Sequence, residues 1–176
     1  MIADTLKQLK EFILSKNTYL TKGYDSVYVD SEGNINDGKD AIFPDDQLGN
    51  YFYLRLPKNI TFNYDNNFKV NDCDRPLVTN TQVILVCCMR DADPDLLMGN
   101  LLSTVQKFDP LITIQSGILK SEEVVTQELS KIKKENLQAA LQRLGANYTI
   151  VSITFMMSAG FQFSKLTCLT NPCKSC

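Results

Sequence analysis

Gln82-Val83-Ile84-Leu85-Val86-Cys87-Cys88-Met89-Arg90-Asp91-Ala92-Asp93-Pro94 opens the stretch on which the fold turns, and it runs on through Leu97, Leu101, Val105 and Phe108. An apolar run from Val83 to Met89, rich in β-branched residues and free of polar interruption, predicts a central strand covered on both faces. Asp93 ahead of Pro94 predicts a helix start. The carboxylate can accept from the exposed N–H groups of the first turn, and Pro suits the first helical position. Leu97, Leu101, Val105 and Phe108 keep helical spacing and give that helix one apolar face. Strand and helix therefore read as a core, not as a catalyst.

The rest of the composition sets bounds around that core. The chain has 176 residues, 44% of them apolar and 22% charged, which suits one globular α+β domain. A chain of this size buries roughly two-thirds of its unfolded surface and needs no metal or disulfide to fold. Eighteen basic and twenty acidic residues leave a net charge of −2, which argues against a nucleic-acid binder driven by phosphate contacts. No apolar span is long enough to cross a membrane as a helix, and Met1-Ile2-Ala3-Asp4-Thr5 does not read as a signal peptide. The six cysteines are accordingly expected in a reducing cytoplasm, and the triplets beginning at Asn59 and Asn147 as chance matches to a glycosylation site. There is no histidine, which excludes Ser-His-Asp and Cys-His catalysis. None of the eight glycines falls in a phosphate-loop spacing.

Along the chain, Ile2, Leu6, Leu9 and Ile13 predict an amphipathic helix over 3–16, and Val27-Tyr28-Val29 a short strand. Residues 30–50 read as a long polar loop, followed by a half-buried strand from Tyr51 to Leu56 and a further edge strand around Ile60, Phe62 and Tyr64. Residues 65–80 read as a second polar stretch. Leu111 to Ser116 predicts a strand, with a bulge or turn at Gly117. Over 120–130 the helix-like Ser121-Glu122-Glu123 competes with β-branched Val124-Val125-Thr126, and the reading favours a strand or extended arm. Lys131–Leu144 predicts a helix ended by Gly145, and Tyr148–Met157 a long closing strand. The domain is expected to span residues 1–163, its twisted mixed or antiparallel sheet carrying two or three helices mainly on one face. Residues 164–176 form a cysteine-containing tail that folding does not need.

Three constellations carry candidate chemistry. Asp91, Asp93 and Asp95 follow the central strand, where carboxylates can bind Mg²⁺ for a hydrolase, although a capped helix start explains them as well. Cys168, Cys173 and Cys176 have C-x4-C-x2-C spacing, which can serve a zinc site with Cys73 as a fourth ligand, a disulfide, or free thiols. Pro44-Asp45 resembles a nuclease element, but Tyr51–Leu56 lacks the acid and lysine that should follow. Between Tyr24 and Asp74 ten acidic residues face four basic ones. This is either solvated loop or an acidic contact surface.

The order of a short N-terminal helix, strands with long loops, a strand leading into a helix, a second helix and the closing strand Asn147–Phe155 resembles the small α+β ring proteins of tailed-bacteriophage necks, including tail terminators. The resemblance implies a tail-terminator-like fold and a non-enzymatic virion protein, assembled in the bacterial host cytoplasm. Its copies would form a ring against neighbouring neck, portal or tail proteins, with no cofactor, no membrane and no direct sequence-specific contact to nucleic acid. The expected interface residues are Asp45, Asp46, Tyr51, Tyr53, Val124, Val125, Lys131, Lys133 and Lys134, with acidic loops of one copy facing lysines of the next. A Mg²⁺-dependent hydrolase and a generic cytoplasmic adaptor domain are the alternatives.

Overall fold

The computed structural model describes residues 2–43, 48–56, 61–63, 76–109 and 111–162. In chain order they form α1 (Ile2–Lys16), β1 (Lys22–Val29), β2 (Ile35–Asn36), β3 (Ala41–Phe43), β4 (Tyr51–Arg55), β5 (Thr61–Asn63), β6 (Pro76–Met89), α2 (Pro94–Phe108), β7 (Thr113–Ile118), α3 (Ser121–Glu128), α4 (Lys134–Asn147) and β8 (Thr149–Gln162). The strands make one sheet in the order β3-β2-β1-β4-β6-β8-β7, with β5 beside β6. It is a mixed sheet: β1 runs parallel to β4 and every other recorded pairing is antiparallel. The α+β class read from the sequence is the observed one.

The apolar run at 83–89 is the centre of this sheet, as its composition predicts. Its strand begins earlier, at Pro76, and pairs without a break against β8 from Pro76↔Gln162 to Met89↔Thr149. Alternate residues then serve opposite faces. Val83, Leu85 and Cys87 face one cluster, together with Phe52 and Leu54 of β4, against Leu6, Leu9 and Ile13 of α1 and Leu97, Leu101 and Val105 of α2. Val86 and Cys88 face the other, with Tyr51 and Tyr53, against Val124 and Val125 of α3 and Ala140 and Leu144 of α4. Helices therefore cover both faces, two on each, where two or three on one face were expected. The reason is α3. Its β-branched residues suggest an extended arm, but burying Val124 and Val125 under the sheet outweighs a weak local preference.

Other boundaries shift for local reasons. Residues 30–50 hold the short strands β2 and β3 instead of a single loop. α4 starts at Lys134 and continues through Gly145, ending where Tyr148 N–H donates to the Leu144 carbonyl at 2.8 Å. Gly23 lies inside β1 because no side chain fits there: a Cβ would stand 2.6 Å from the Phe52 ring. The register of β7 on β8 shifts between Ile114 and Ser116, so the irregularity falls at Gln115 and not at Gly117.

The start of α2 is built as its sequence predicts. Asp93 has extended backbone and its Oδ1 accepts from Leu96 N–H at 2.9 Å, with Pro94 in the first helical position. Replacing Asp93 with Ala should cost about 1 kcal/mol in urea unfolding. Asp91 sits at φ 51°, a left-handed conformation that Asn also tolerates. Asp91→Asn should therefore leave the midpoint unchanged, and added Mg²⁺ should not raise the melting temperature of either protein.

Candidate functional site

The β1 alternation that buries Val27 turns Tyr28 outward, and its side chain is 52% exposed. Beside it, β4 ends at Arg55 with Leu56 next in the chain, and the last turn of α3 brings Gln127 and Glu128, followed by Ser130 and Lys131. Together these residues line a groove of about 460 Å³. It has apolar walls from Val27, Val29 and Leu56, a charged pair at its base, and an exposed tyrosine and lysine at its rim.

The pair at the base is Arg55–Glu128. Glu128 Oε1 accepts from Arg55 Nη2 at 2.6 Å, and Oε2 accepts from Arg55 Nε at 3.0 Å and from the Tyr53 hydroxyl at 3.0 Å. The carboxylate side chain is only 2% exposed and the guanidinium 18%. A carboxylate this buried persists because a bidentate arginine and a phenol occupy both of its oxygens. Burial, reinforced by the negative charge of Glu128, pushes the Tyr53 hydroxyl well above its ordinary range. Desolvation works against the charge on Arg55, but the hydrogen bonds and charge of Glu128 outweigh it and raise the guanidinium above its ordinary value. The network ties the end of α3 to the sheet.

A tight turn buttresses the rim. Asp30 Oδ1 accepts from the backbone N–H groups of Glu32 and Asn34, each at 2.9 Å, and Oδ2 accepts from Asn36 Nδ2 at 2.7 Å. Desolvation pushes this carboxyl up, yet the hydrogen bonds prevail and hold it below its usual value. Gly33 turns at φ +94° against the α3–α4 connection, where a Cβ would meet the Lys131 carbonyl carbon at 3.0 Å. The acidic turn and the lysine segment are thus neighbours in one chain and do not lie on opposed surfaces.

The expected contact residues divide sharply. Lys131, Lys133 and Lys134 are exposed. Tyr51, Tyr53 and Val125 are fully buried and Val124 is 1% exposed, so none is available to a partner: the second pair of helices covers that side of the sheet. Asp45, Asp46, Cys73, Cys168, Cys173 and Cys176 lie outside the described residues. Asp91, Asp93 and Asp95 are not gathered: among the described residues no three His, Cys, Asp or Glu side chains stand close enough to hold a metal ion. Cys87 and Cys88 are buried in β6, and burial pushes the Cys88 thiol up to about 12, which keeps it unreactive. Reading the sequence missed Arg55 and Glu128. Helical spacing does place Glu128 on the face of Val124 and Val125, and a buried acid there demands a basic partner.

No family model matches this chain, and no curated protein matches it. The functional reading therefore stands on the geometry.

Truncating Glu128 to Ala leaves a mostly buried guanidinium and a buried phenol without their acceptor, and should cost about 3 kcal/mol in urea unfolding. Tyr53 adds a pH signature. Its hydroxyl ionises at a higher pH folded than unfolded, so its contribution is complete below about pH 10 and is lost as pH rises beyond that value. Tyr53→Phe should unfold with a shallower alkaline decline than the native chain, measured as midpoint against pH from 8 to 12.

Proposed function

We propose that this chain is a non-enzymatic structural subunit whose copies join head to tail into a ring at the head–tail neck of a tailed-bacteriophage virion. The observation that carries the reading is the Tyr28 groove: an exposed aromatic beside apolar walls, with an exposed lysine at the rim. Exposed tyrosine beside apolar walls is the composition of a protein contact. The acid in the groove already has donors on both oxygens, which suits a positioning role better than proton transfer. In this reading Lys131, Lys133 and Lys134 of one copy meet the acidic stretch around Asp45 and Asp46 of the next. Apolar contact at Tyr28 supplies most of the affinity, and charge sets register and choice of partner.

The test is made on assembled particles. Electron microscopy of virions carrying a labelled chain should show several copies around the neck axis. Tyr28→Asp should melt at the native temperature yet fail to enter particles. A single copy per virion, or absence from virions together with activity as an isolated enzyme, would overturn the reading.

A further inference from the structure

β1 and β4 run parallel toward the Tyr28 groove, while β6 runs the other way, into Asp93 and α2. Two helices span the distance between these ends. α3 begins where the Ser121 hydroxyl accepts from Ile150 N–H at 2.9 Å, and it finishes where Glu128 holds Arg55. α4 starts at Lys134 and returns to Tyr148. The groove and the start of α2 are therefore opposite ends of the molecule. The groove end carries residues 130–134, with three bases and no acid. Lys131, Lys133 and Lys134 are all exposed there, and Asp30 of the neighbouring turn has both oxygens engaged within that turn. The other end carries residues 91–95, with three acids and no base. Asp91, Asp93 and Asp95 are exposed, and Arg90 ahead of them lies over the Tyr148 ring at 5.4 Å. Beside those carboxylates stands Leu96, 65% exposed in the first turn of α2. The core takes Leu97 and Leu101 of the same helix and leaves Leu96 outside.

We infer that the Tyr28 groove receives Leu96 of a second copy, with Asp91 and Asp95 of that copy against the lysine segment at the rim. The inference rests on the ring reading's contact at Tyr28 and names the surface that covers it. An exposed leucine gains by leaving water when the surface it meets is apolar too. Val27, Val29 and Leu56 supply such walls, and the Tyr28 ring supplies a cover. Three carboxylates next to Leu96 steer it to a groove rimmed by lysine, and so charge chooses the partner while apolar burial holds it. Because leucine and groove lie at opposite ends of one chain, no copy fills its own groove. Each contact leaves one groove and one leucine open, and association continues head to tail until a ring closes. The carboxylates at the start of α2 join those that the ring reading already sets against Lys131, Lys133 and Lys134.

Sedimentation velocity on the purified full chain tests the contact, with circular dichroism confirming that each variant is folded. The native chain should form assemblies larger than two copies, weakened as salt is raised. Tyr28→Asp spoils the groove and Leu96→Asp the side chain that enters it, and each alone should weaken association at least roughly tenfold. Mixed in equal amounts, the two variants should form a dimer and nothing larger, because one intact groove meets one intact leucine and no further pair remains. Should a charged variant fail to fold, Tyr28→Ser or Leu96→Ser takes its place. The inference is overturned by a native chain that is monomeric at every concentration reached or stops at two copies. It is equally overturned by a mixture that stays monomeric or grows past two, or by a single variant that assembles as the native chain does. A monomeric chain found in several copies around the neck rejects this contact and leaves the ring standing. Capped dimers from a chain absent from virions support the contact and reject the neck.

Discussion

The antiparallel pairing of Pro76–Met89 with Thr149–Gln162 is the constraint on which everything else depends. Over Val83–Cys88 and Ile150–Phe155 the two strands pack on both faces, and their alternate apolar residues are committed to one or the other of two cores. A one-residue slip would exchange the cores and send Ser152 toward the side where Val151 and Ile153 pack with Phe155. Such a long register with two different faces has no near alternative of similar energy. It also sets the order of the flanking strands, because β4 can only lie on the free side of β6 and β7 on the free side of β8.

The Arg55–Glu128–Tyr53 network belongs to the same logic at smaller scale. Apolar contacts hold α3 against the sheet, but they do not fix its position along the strands. Two hydrogen bonds from a planar guanidinium and one from a phenol do, because they are directional. The groove beside Tyr28 inherits its shape from that placement. The Asp30 turn with Gly33 supports the next segment, so the rim has a fixed geometry without regular structure of its own.

Legibility in the sequence followed the strength of the local pattern. The run at 83–89, the Asp93-Pro94 start, the stripe of Leu97, Leu101 and Val105, and the closing strand all carry periodicity that tertiary context does not override. The start of β6 was hidden because Pro76 and Asn80 do not look like strand. The misplaced contact residues share one cause. With 121–128 read as an arm, the second helical layer disappears, Tyr51 and Tyr53 look half exposed, and Val124 and Val125 look free for a partner. One weak octet of helix, stabilised by burial and by Glu128, misplaced four of the expected contact residues. The proposed ring has no local signature in the sequence, and neither does the groove, which arises from residues distant along the chain.

The position of β8 has a consequence for synthesis. It is the last described element to leave the ribosome, yet β6, β7 and both cores require it. Until it emerges, the apolar run at 83–89 has an unpaired side and neither face is complete. The nascent chain therefore carries a strand template in the open from the synthesis of β6 until that of β8, and its order arrives in one late step. Expression that outruns that step, or a shortage of holding chaperones, would divert this chain toward aggregates before the native fold is within reach.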